Sequence, residues 1–368
     1  MSHNIIRNLP KHRYEIHHLG INYRGDPHEF DWKIYPAHLG GDLLGFGRIK
    51  DLPNLKPDGI FILNDVWVVS RYLQLIKETF KDKVPPIVVY FPVDSKNMDK
   101  EWFNEFDIVT KTVVYTDFGY KEVTNVYDKY VNIIPHGVDH DIFYKIGDSR
   151  QDIKKSVFGN KPDIAESFIV LNANRNQPRK RIDVTIKGFA EFVKDKPENI
   201  KLFLHMGLKD AGWDIGKLST RYGINNRLIL SNTHSKIQII PPEQLNLLYN
   251  ATDVGLNTSM GEGWSLTNSE HAATGAPQIV GDHSACSELY KDCGVLMPIN
   301  QYLDTTETLV TSALVNEYAV ADALNKLYLD KELYNSLADK ALKKFSSKEY
   351  SWERIVREEW VPMFEDTF

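Results

Sequence analysis

Cysteine is scarce in this chain: only Cys286 and Cys293 occur, too few for a disulfide framework and without the spacing of a metal-ligand cluster. A reducing compartment is the expectation. No apolar run approaches the roughly 18 residues of a membrane span, and the opening "MSHNIIRNLPKHR" lacks the apolar core of a signal peptide. A cytoplasmic protein without a transmembrane segment follows. Basic charge is not in excess either. The 44 Lys and Arg face 50 Asp and Glu, for a net charge of −6, so no strong positive field recruits nucleic acid or anionic lipid. A local basic patch, and with it peripheral contact with a membrane, stays open. Short repeats and low-complexity tracts are also missing, which argues against a solenoid. What is present is ordinary for a globular protein, with 42% hydrophobic and 26% charged residues. At 368 residues the chain exceeds what one core usually organises, so two domains are expected.

Short β-rich runs alternate with longer segments of helical period, the pattern of βα units that build parallel sheets. The first series is "YEIHHLGI" (14–21), "GIFILN" (59–64), "PIVVYFP" (86–92), "TVVYT" (112–116) and "VNIIPHG" (131–137). A charged passage from about Asp139 to Glu166 follows, with a short helix near "RQDIKKSVFG". The alternation restarts with "SFIVLNANR" (167–175), "KLFLHM" (201–206), "RLILSN" (227–232), "VGLNTSM" (254–260), "PQIVGD" (277–282) and "GVLMPIN" (294–300). The pattern predicts two α/β domains, over 1–145 and 150–345, and helix after residue 315. In the tail "YSWERIVREEWVPMFEDTF", Trp352, Ile355, Val356 and Trp360 share one face, which predicts a helix at 350–368 that crosses back to complete the first domain.

Open α/β sheets bind ligands beyond the carboxyl ends of their strands, so the loops there carry the functional expectations. After "VGLNTSM" comes "GEGWSLTNSEHAATGAP" (261–277), which places Glu262 and Glu270 eight positions apart around a helix start. Ser265 or a neighbour would cap a helix running through His271 to about Thr274, with Gly275 and Pro277 supplying the stop. Free N–H groups at such an end favour phosphate, and Gly263 has no Cβ to obstruct an anion. The plainer reading of an acidic residue there is a dipole partner worth about 0.3–1 kcal/mol. A second stretch, "NANRNQPRKRIDVTIKGF", places Arg175 and Lys180 five positions apart in the loop after the first strand of the second domain. "RKR" alone reads as a solvated face, but at a strand's carboxyl end its cations could grip a diphosphate.

Together these residues resemble the nucleotide-sugar-binding domain of the retaining, GT-B fold glycosyltransferases of group 1, family GT4. Glu262 and Glu270 match the family's Glu–seven residues–Glu motif, Arg175 and Lys180 its upstream Arg and Lys, and "IIPHGVD" (133–139) the stretch joining its two domains. The resemblance covers roughly residues 85 to 300. It implies two Rossmann-like α/β domains facing a cleft, and a retaining transfer of a sugar from a nucleotide-sugar to a sugar, lipid or protein acceptor. It also implies site roles. Arg175 and Lys180 would hold the diphosphate, assisted by amides of Gly263, Trp264, Ser265, Leu266 and Thr267. Glu270 would bind the ribose hydroxyls, Glu262 would face the transferred sugar, and the base would sit by "SNTHSK" (231–236). Neither a metal nor another cofactor is implied, since fixed cations replace the metal.

Related enzymes present a His or Asp after the strand matching "PIVVYFP"; Asp94 stands here, as a substrate contact or as a turn cap. The glycine-rich "LGGDLLGFG" (39–47) is either an acceptor loop or a set of turns. His136 and His205 read as structural. Many family members have Gly where Ser265 stands. The family opens with a strand and glycine-rich turn before its first helix, whereas "NIIRNLP" reads as already inside that helix, which predicts an N-terminally shortened first domain. Two readings compete with a transferase: a non-catalytic nucleotide-sugar or glycan-binding protein, and a sugar phosphorylase or epimerase of the same fold.

Overall fold

The computed structural model describes every residue except Leu39, Asn160, Lys209 and residues 232–239. The chain divides into two compact units. One comprises Met1–Pro92, Met98–His136 and Trp352–Phe368; the other comprises Val93–Asn97 and Gly137–Ser351. Among the described residues, no helix is long and apolar enough to cross a membrane.

The first unit is built on parallel strands. A four-stranded sheet has the order β3 (Ile60–Leu63), β4 (Ile87–Phe91), β5 (Lys111–Val114), β6 (Val131–Ile133), and a separate pair joins β1 (His17–Gly20) to β2 (Lys33–Pro36). All five residues of β4, Ile-Val-Val-Tyr-Phe, are buried, because helices cover both faces of a parallel sheet and leave no side for polar residues. Tyr90 of this strand meets His136 at 2.8 Å in a fully buried contact, so His136 is part of the core.

The C-terminal stretch belongs to this same unit. Trp352, Ile355, Val356 and Trp360 are all buried, as their shared face requires. Trp360 lies edge-on to Phe61 at 5.1 Å and to Tyr90 at 4.7 Å. The helix is interrupted by a π turn at Val356–Trp360. Pro362, just beyond it, has no N–H to return to the carbonyl four residues earlier, so the backbone widens locally.

The second unit carries a six-stranded parallel sheet in the order β12-β11-β10-β7-β8-β9. Its strands are β7 (Phe168–Asn172), β8 (Ile200–Leu204), β9 (Leu228–Leu230), β10 (Val254–Leu256), β11 (Gln278–Gly281) and β12 (Gly294–Met297). An antiparallel hairpin, β13 (Gln301–Asp304) with β14 (Thr311–Leu314), follows. From β7 the order runs outward through β8 and β9; from β10 it runs the other way through β11 and β12. The pair β7–β10 is therefore the switch point, where the loops leaving adjacent strands diverge and open a crevice.

Three strands escape the sequence pattern. "KIYP" of β2 is too short to alternate, and β13 and β14 are polar or small. The boundary also differs from a break at 145–150. Residues 137–150 count with the second unit because Tyr144 and Ile146 donate their N–H groups to Asn246 and Asn250 there, at 3.2 and 3.0 Å. Val93–Asn97 joins it too, since Lys96 and Thr311 exchange backbone hydrogen bonds of 3.0 and 2.9 Å.

The packing of Trp360 generates a stability prediction. Trp360→Ala should lower the unfolding free energy by about 3–5 kcal/mol, the scale for removing a buried aromatic, measured by urea denaturation of the whole chain. A loss below about 1 kcal/mol would mean that the tail adds little to its unit.

Candidate functional site

The loops after β7 and β10 are laced together at the switch point. Asn172, ending β7, turns its amide oxygen back to the N–H of Asn174 at 3.0 Å, which starts the first loop. At its far end, Thr258 donates to the carbonyls of Lys180 and Arg181 at 3.1 and 2.9 Å, and the Met260 N–H donates to Arg179 O at 2.8 Å. Sequence positions about 80 apart thus become one surface.

At its centre, Lys180 Nζ meets Glu262 Oε1 at 2.5 Å, with both side chains buried. Asn257 Nδ2 donates to the same carboxylate at 3.0 Å. Burial by itself would raise the Glu262 pKa, but the charges of Lys180 and Arg179, with hydrogen bonds from Lys180 and Asn257, outweigh it and hold the carboxyl at about 2. Its backbone is fixed as well. The Glu262 N–H donates to Ser284 Oγ at 3.1 Å, and Ser284 contacts His283 Nδ1 at 2.9 Å. His283 Nε2 lies 2.8 Å from the carbonyl of Ser259, an acceptor only, so Nε2 carries the proton. Burial keeps this imidazole below its ordinary pKa and neutral.

Glu270 sits in the opposite environment. Its partner is the Tyr249 hydroxyl, which donates to Oε2 at 3.3 Å. Glu270 keeps some exposed surface, yet the protein packed around its carboxyl, with the Asp139 carboxylate adding to the effect, pushes the pKa up to about 8 despite the Tyr249 hydrogen bond. Eight positions apart, neighbouring cations hold one carboxyl well below its ordinary pKa while burial pushes the other above it.

The helix that carries Glu270 spans Leu266–Ala272, and Gly275 beyond it takes a left-handed conformation at φ +83°. Ser265 precedes it at φ 69° and ψ 66°, also left-handed. That explains why glycine suits this position. Ser265 does not cap the helix through its side chain; its hydroxyl instead donates to Asn268 Oδ1 at 2.6 Å. Gly263 and Trp264 are buried, while Leu266 and Thr267 are half-buried at the first turn.

Arg175 lies apart from Lys180 and Glu262 in its contacts. Its guanidinium makes a bidentate pair with Asp210 at 2.9 and 3.1 Å, and its side chain is 52% exposed. Asp94 is a correction to the sequence reading. It counts with the second unit and not with the first, because Val93–Asn97 crosses the β10 loop and lies 3.7 Å from Arg179. Gly261 makes that crossing possible: a Cβ there would stand 2.2 Å from the carbonyl oxygen of Asp94. Arg179 also donates to the Gly261 carbonyl at 3.1 Å.

Asn257, Asn268, Asp210 and Tyr249 escaped the sequence reading, and Arg179 entered it only as one cation of "RKR". The first two share loops with recognised residues, which was signal enough to include them. Asp210 and Tyr249 are distant in sequence and had none. His205 bonds Ser231 Oγ at 2.6 Å and burial lowers its pKa to about 4, consistent with a structural role. The "SNTHSK" position expected for the base lies, apart from Ser231, outside the described residues.

The curated relative mannosylfructose-phosphate synthase from Agrobacterium fabrum is 25% identical over 174 residues, 46% of this chain; the match spans only 35% of that protein's length. Among solved structures, sucrose-phosphate synthase from Thermosynechococcus elongatus matches with a TM-score of 0.73 at 15% identity, covering 100% of this chain and 93% of that one. HepE from Anabaena, solved with UDP and glucose, matches with a TM-score of 0.66 at 15% identity, covering 91% and 86%. These neighbours establish the GT-B fold. The family model for group 1 glycosyl transferases covers residues 154–344, a span that holds the β7 and β10 loops and both glutamates. The chain belongs to the group 1 glycosyl transferases.

Proposed function

We propose that this chain transfers a sugar from a nucleotide-sugar donor to a hydroxyl acceptor, without a metal and with retention at the anomeric carbon. The observation that carries the reading is the buried contact between Lys180 and Glu262, which joins the β7 and β10 loops at the switch point of the parallel sheet. Lys180 donates one of its three ammonium protons to Glu262, which leaves two for a ligand. With Arg175 and Arg179 in the same loop it supplies fixed positive charge where a diphosphate would lie, and amides of Gly263 to Thr267 add to it. The complexes of Anabaena HepE with UDP-glucose make UDP-sugars the first donors to test.

In the reaction, the bond from the anomeric carbon to the phosphate oxygen breaks and its electron pair goes to the leaving diphosphate. The acceptor oxygen bonds the same face of that carbon, and its proton passes to the departing phosphate oxygen. Preorganised cations beside the leaving group lower this barrier more than they tighten the ground state. A neutral Glu270 both donates and accepts, so it suits a pair of ribose hydroxyls. Glu262, an anion at the sugar side of Lys180, stabilises positive character on the sugar. The acceptor is a sugar, a sugar phosphate, a lipid or a protein hydroxyl; the sugar-phosphate synthases among its relatives favour the second.

Substitutions should separate the two roles. Glu270→Ala should weaken calorimetric binding of UDP by about 1–3 kcal/mol, the scale for hydrogen bonds involving an ionisable group. Glu262→Gln keeps the contact with Lys180 but removes the charge. It should leave UDP affinity nearly unchanged and depress turnover of the donor by a factor of about 100 or more. Equal loss of UDP affinity in both variants would show that the carboxylates act as one structural unit. No turnover of UDP-, GDP- or ADP-sugars by the native chain, with binding intact, would favour a binding protein.

The protonation states predict a pH dependence. Below the ordinary value of 4.5, Glu270 is protonated in both folded and unfolded chains. As pH rises from 4.5 to about 8, the unfolded carboxyl ionises while the folded one does not, so unfolding releases a proton and stability falls. Glu262 works in the other direction: its contribution is complete above 4.5 and is lost as pH falls toward about 2. Relative to the native chain, Glu270→Gln should therefore gain thermal stability progressively between pH 5 and pH 8. A melting-temperature difference that stays constant across that range would rule out a neutral Glu270.

A further inference from the structure

Beside the candidate site, the second unit carries a small antiparallel assembly that the donor roles leave unused. The β13–β14 hairpin is one part and Val93–Asn97 is the other. Through the paired backbone bonds of Lys96 and Thr311, Val93–Asn97 runs along β14 as a third strand. Side chains fasten it there: Asn97 Nδ2 donates to the Thr311 hydroxyl at 2.8 Å, and the hydroxyls of Ser95 and Ser312 meet at 3.3 Å. The assembly is tied to the β10 loop as well. Ala313 donates its N–H to the carbonyl of Met260 at 2.9 Å, next to the tight crossing at Gly261.

Alternation along an extended chain sorts the side chains into two faces. Val93 and Ser95 are buried, as is Ser312, whereas Asp94 is half-buried and Lys96 exposed on the other face. This outer face continues into the candidate site. Asp94 lies 3.7 Å from Arg179. Burial lowers the pKa values of Lys180 and His283, and the Asp94 carboxylate is close enough to oppose that shift in both. Lys96, two residues further along the same face, stands about 6.5–7 Å beyond Asp94. There the exposed Tyr302 of β13 meets it, with Lys96 Nζ 5.0 Å from the ring centre.

The charge of Lys96 sets it apart from the other cations of the site. Arg175, Arg179 and Lys180 each face a carboxylate, of Asp210, Asp94 and Glu262. Lys96 forms no salt bridge with a described residue, and the Asp304 carboxylate of β13 takes the Thr311 hydroxyl at 2.5 Å instead. An aromatic face holds an ammonium in place without cancelling its charge, and its protons stay available to a ligand.

We infer that Lys96, steadied by Tyr302, binds the phosphate of a phosphorylated sugar acceptor whose reacting hydroxyl lies at the Asp94 end of the same face. The inference rests on the transfer reaction proposed above and adds that the second unit selects the acceptor as well as the donor. A hexose bridges the distance from Asp94 to Lys96 between a ring hydroxyl and a phosphate on its terminal carbon. An acceptor without an anionic group would leave the Lys96 charge uncompensated.

Transfer from UDP-glucose to glucose, fructose and mannose and to their 6-phosphates tests this, beside calorimetry of the same compounds with the full chain. The native chain should prefer at least one 6-phosphate to its parent sugar. Lys96→Ala should reduce kcat/KM for that 6-phosphate about tenfold or more beyond any loss with the parent sugar, chiefly through KM, the scale of a hydrogen bond between charged groups. Lys96→Arg should restore most of the preference and Tyr302→Phe, which keeps the ring, should retain it. Leu303→Ala, on the opposite face of β13, should leave it as in the native chain. Absence of any turnover would count against the transfer reading and not against Lys96, because calorimetry then decides: the native chain should bind the 6-phosphate, and Lys96→Ala about tenfold more weakly or worse. A native chain indifferent to the phosphate, or a preference that survives Lys96→Ala, would overturn the inference. So would equally tight, Lys96-dependent binding of inorganic phosphate, the mark of a general anion contact.

Discussion

The candidate site depends on a single buried ion pair. Lys180 comes from the loop after β7 and Glu262 from the loop after β10, and their contact at 2.5 Å is made inside the protein, where neither charge has water to fall back on. Removing one member of such a pair strands the other, at a cost of about 3–5 kcal/mol. The surrounding polar groups therefore have to be satisfied in detail. Asn257 serves Glu262, Ser265 and Asn268 with one amide nitrogen at 2.9–3.0 Å, and its oxygen takes the N–H of Ser259. Every one of these bonds also holds the β10 loop in a shape that faces the β7 loop.

Position relative to that pair sorts the two glutamates. Glu262 has two cations within reach and keeps a low pKa although buried; Glu270, two turns on, has a tyrosine hydroxyl and a distant carboxylate, and its pKa is pushed up. Environments that drive neighbouring acids apart are how one scaffold offers both an anion and a proton donor at the same pH. Chain order alone, two identical side chains around one helix start, contains no such asymmetry.

The charge at the site is local. The whole chain is mildly acidic, at −6, yet Arg175, Arg179 and Lys180 gather in six residues at a strand's carboxyl end. All three already have acidic partners, in Asp210, Asp94 and Glu262. Those partners fix the cations in advance, so little reorganisation is needed when an anion arrives.

Periodicity in the sequence determined the α/β class, eleven of the strands and the buried face of the tail, because apolar runs bounded by loops have few other ways to be covered. The motif residues in the β7 and β10 loops were legible for the same reason: strand ends are readable, and charged residues beside them stand out. β2, β13 and β14 were not legible, since they are short and lack an apolar pattern. Tertiary structure alone decided the rest. It moved Asp94 to the second unit through the bridge from Lys96 to Thr311, paired Arg175 with Asp210, and set Tyr249 against Glu270. It also shifted the pKa values of the two glutamates in opposite directions. Each of these depends on which groups approach one another across tens of residues of sequence. Burial and neighbouring charge, the quantities that shift a pKa, exist only once that approach has been made.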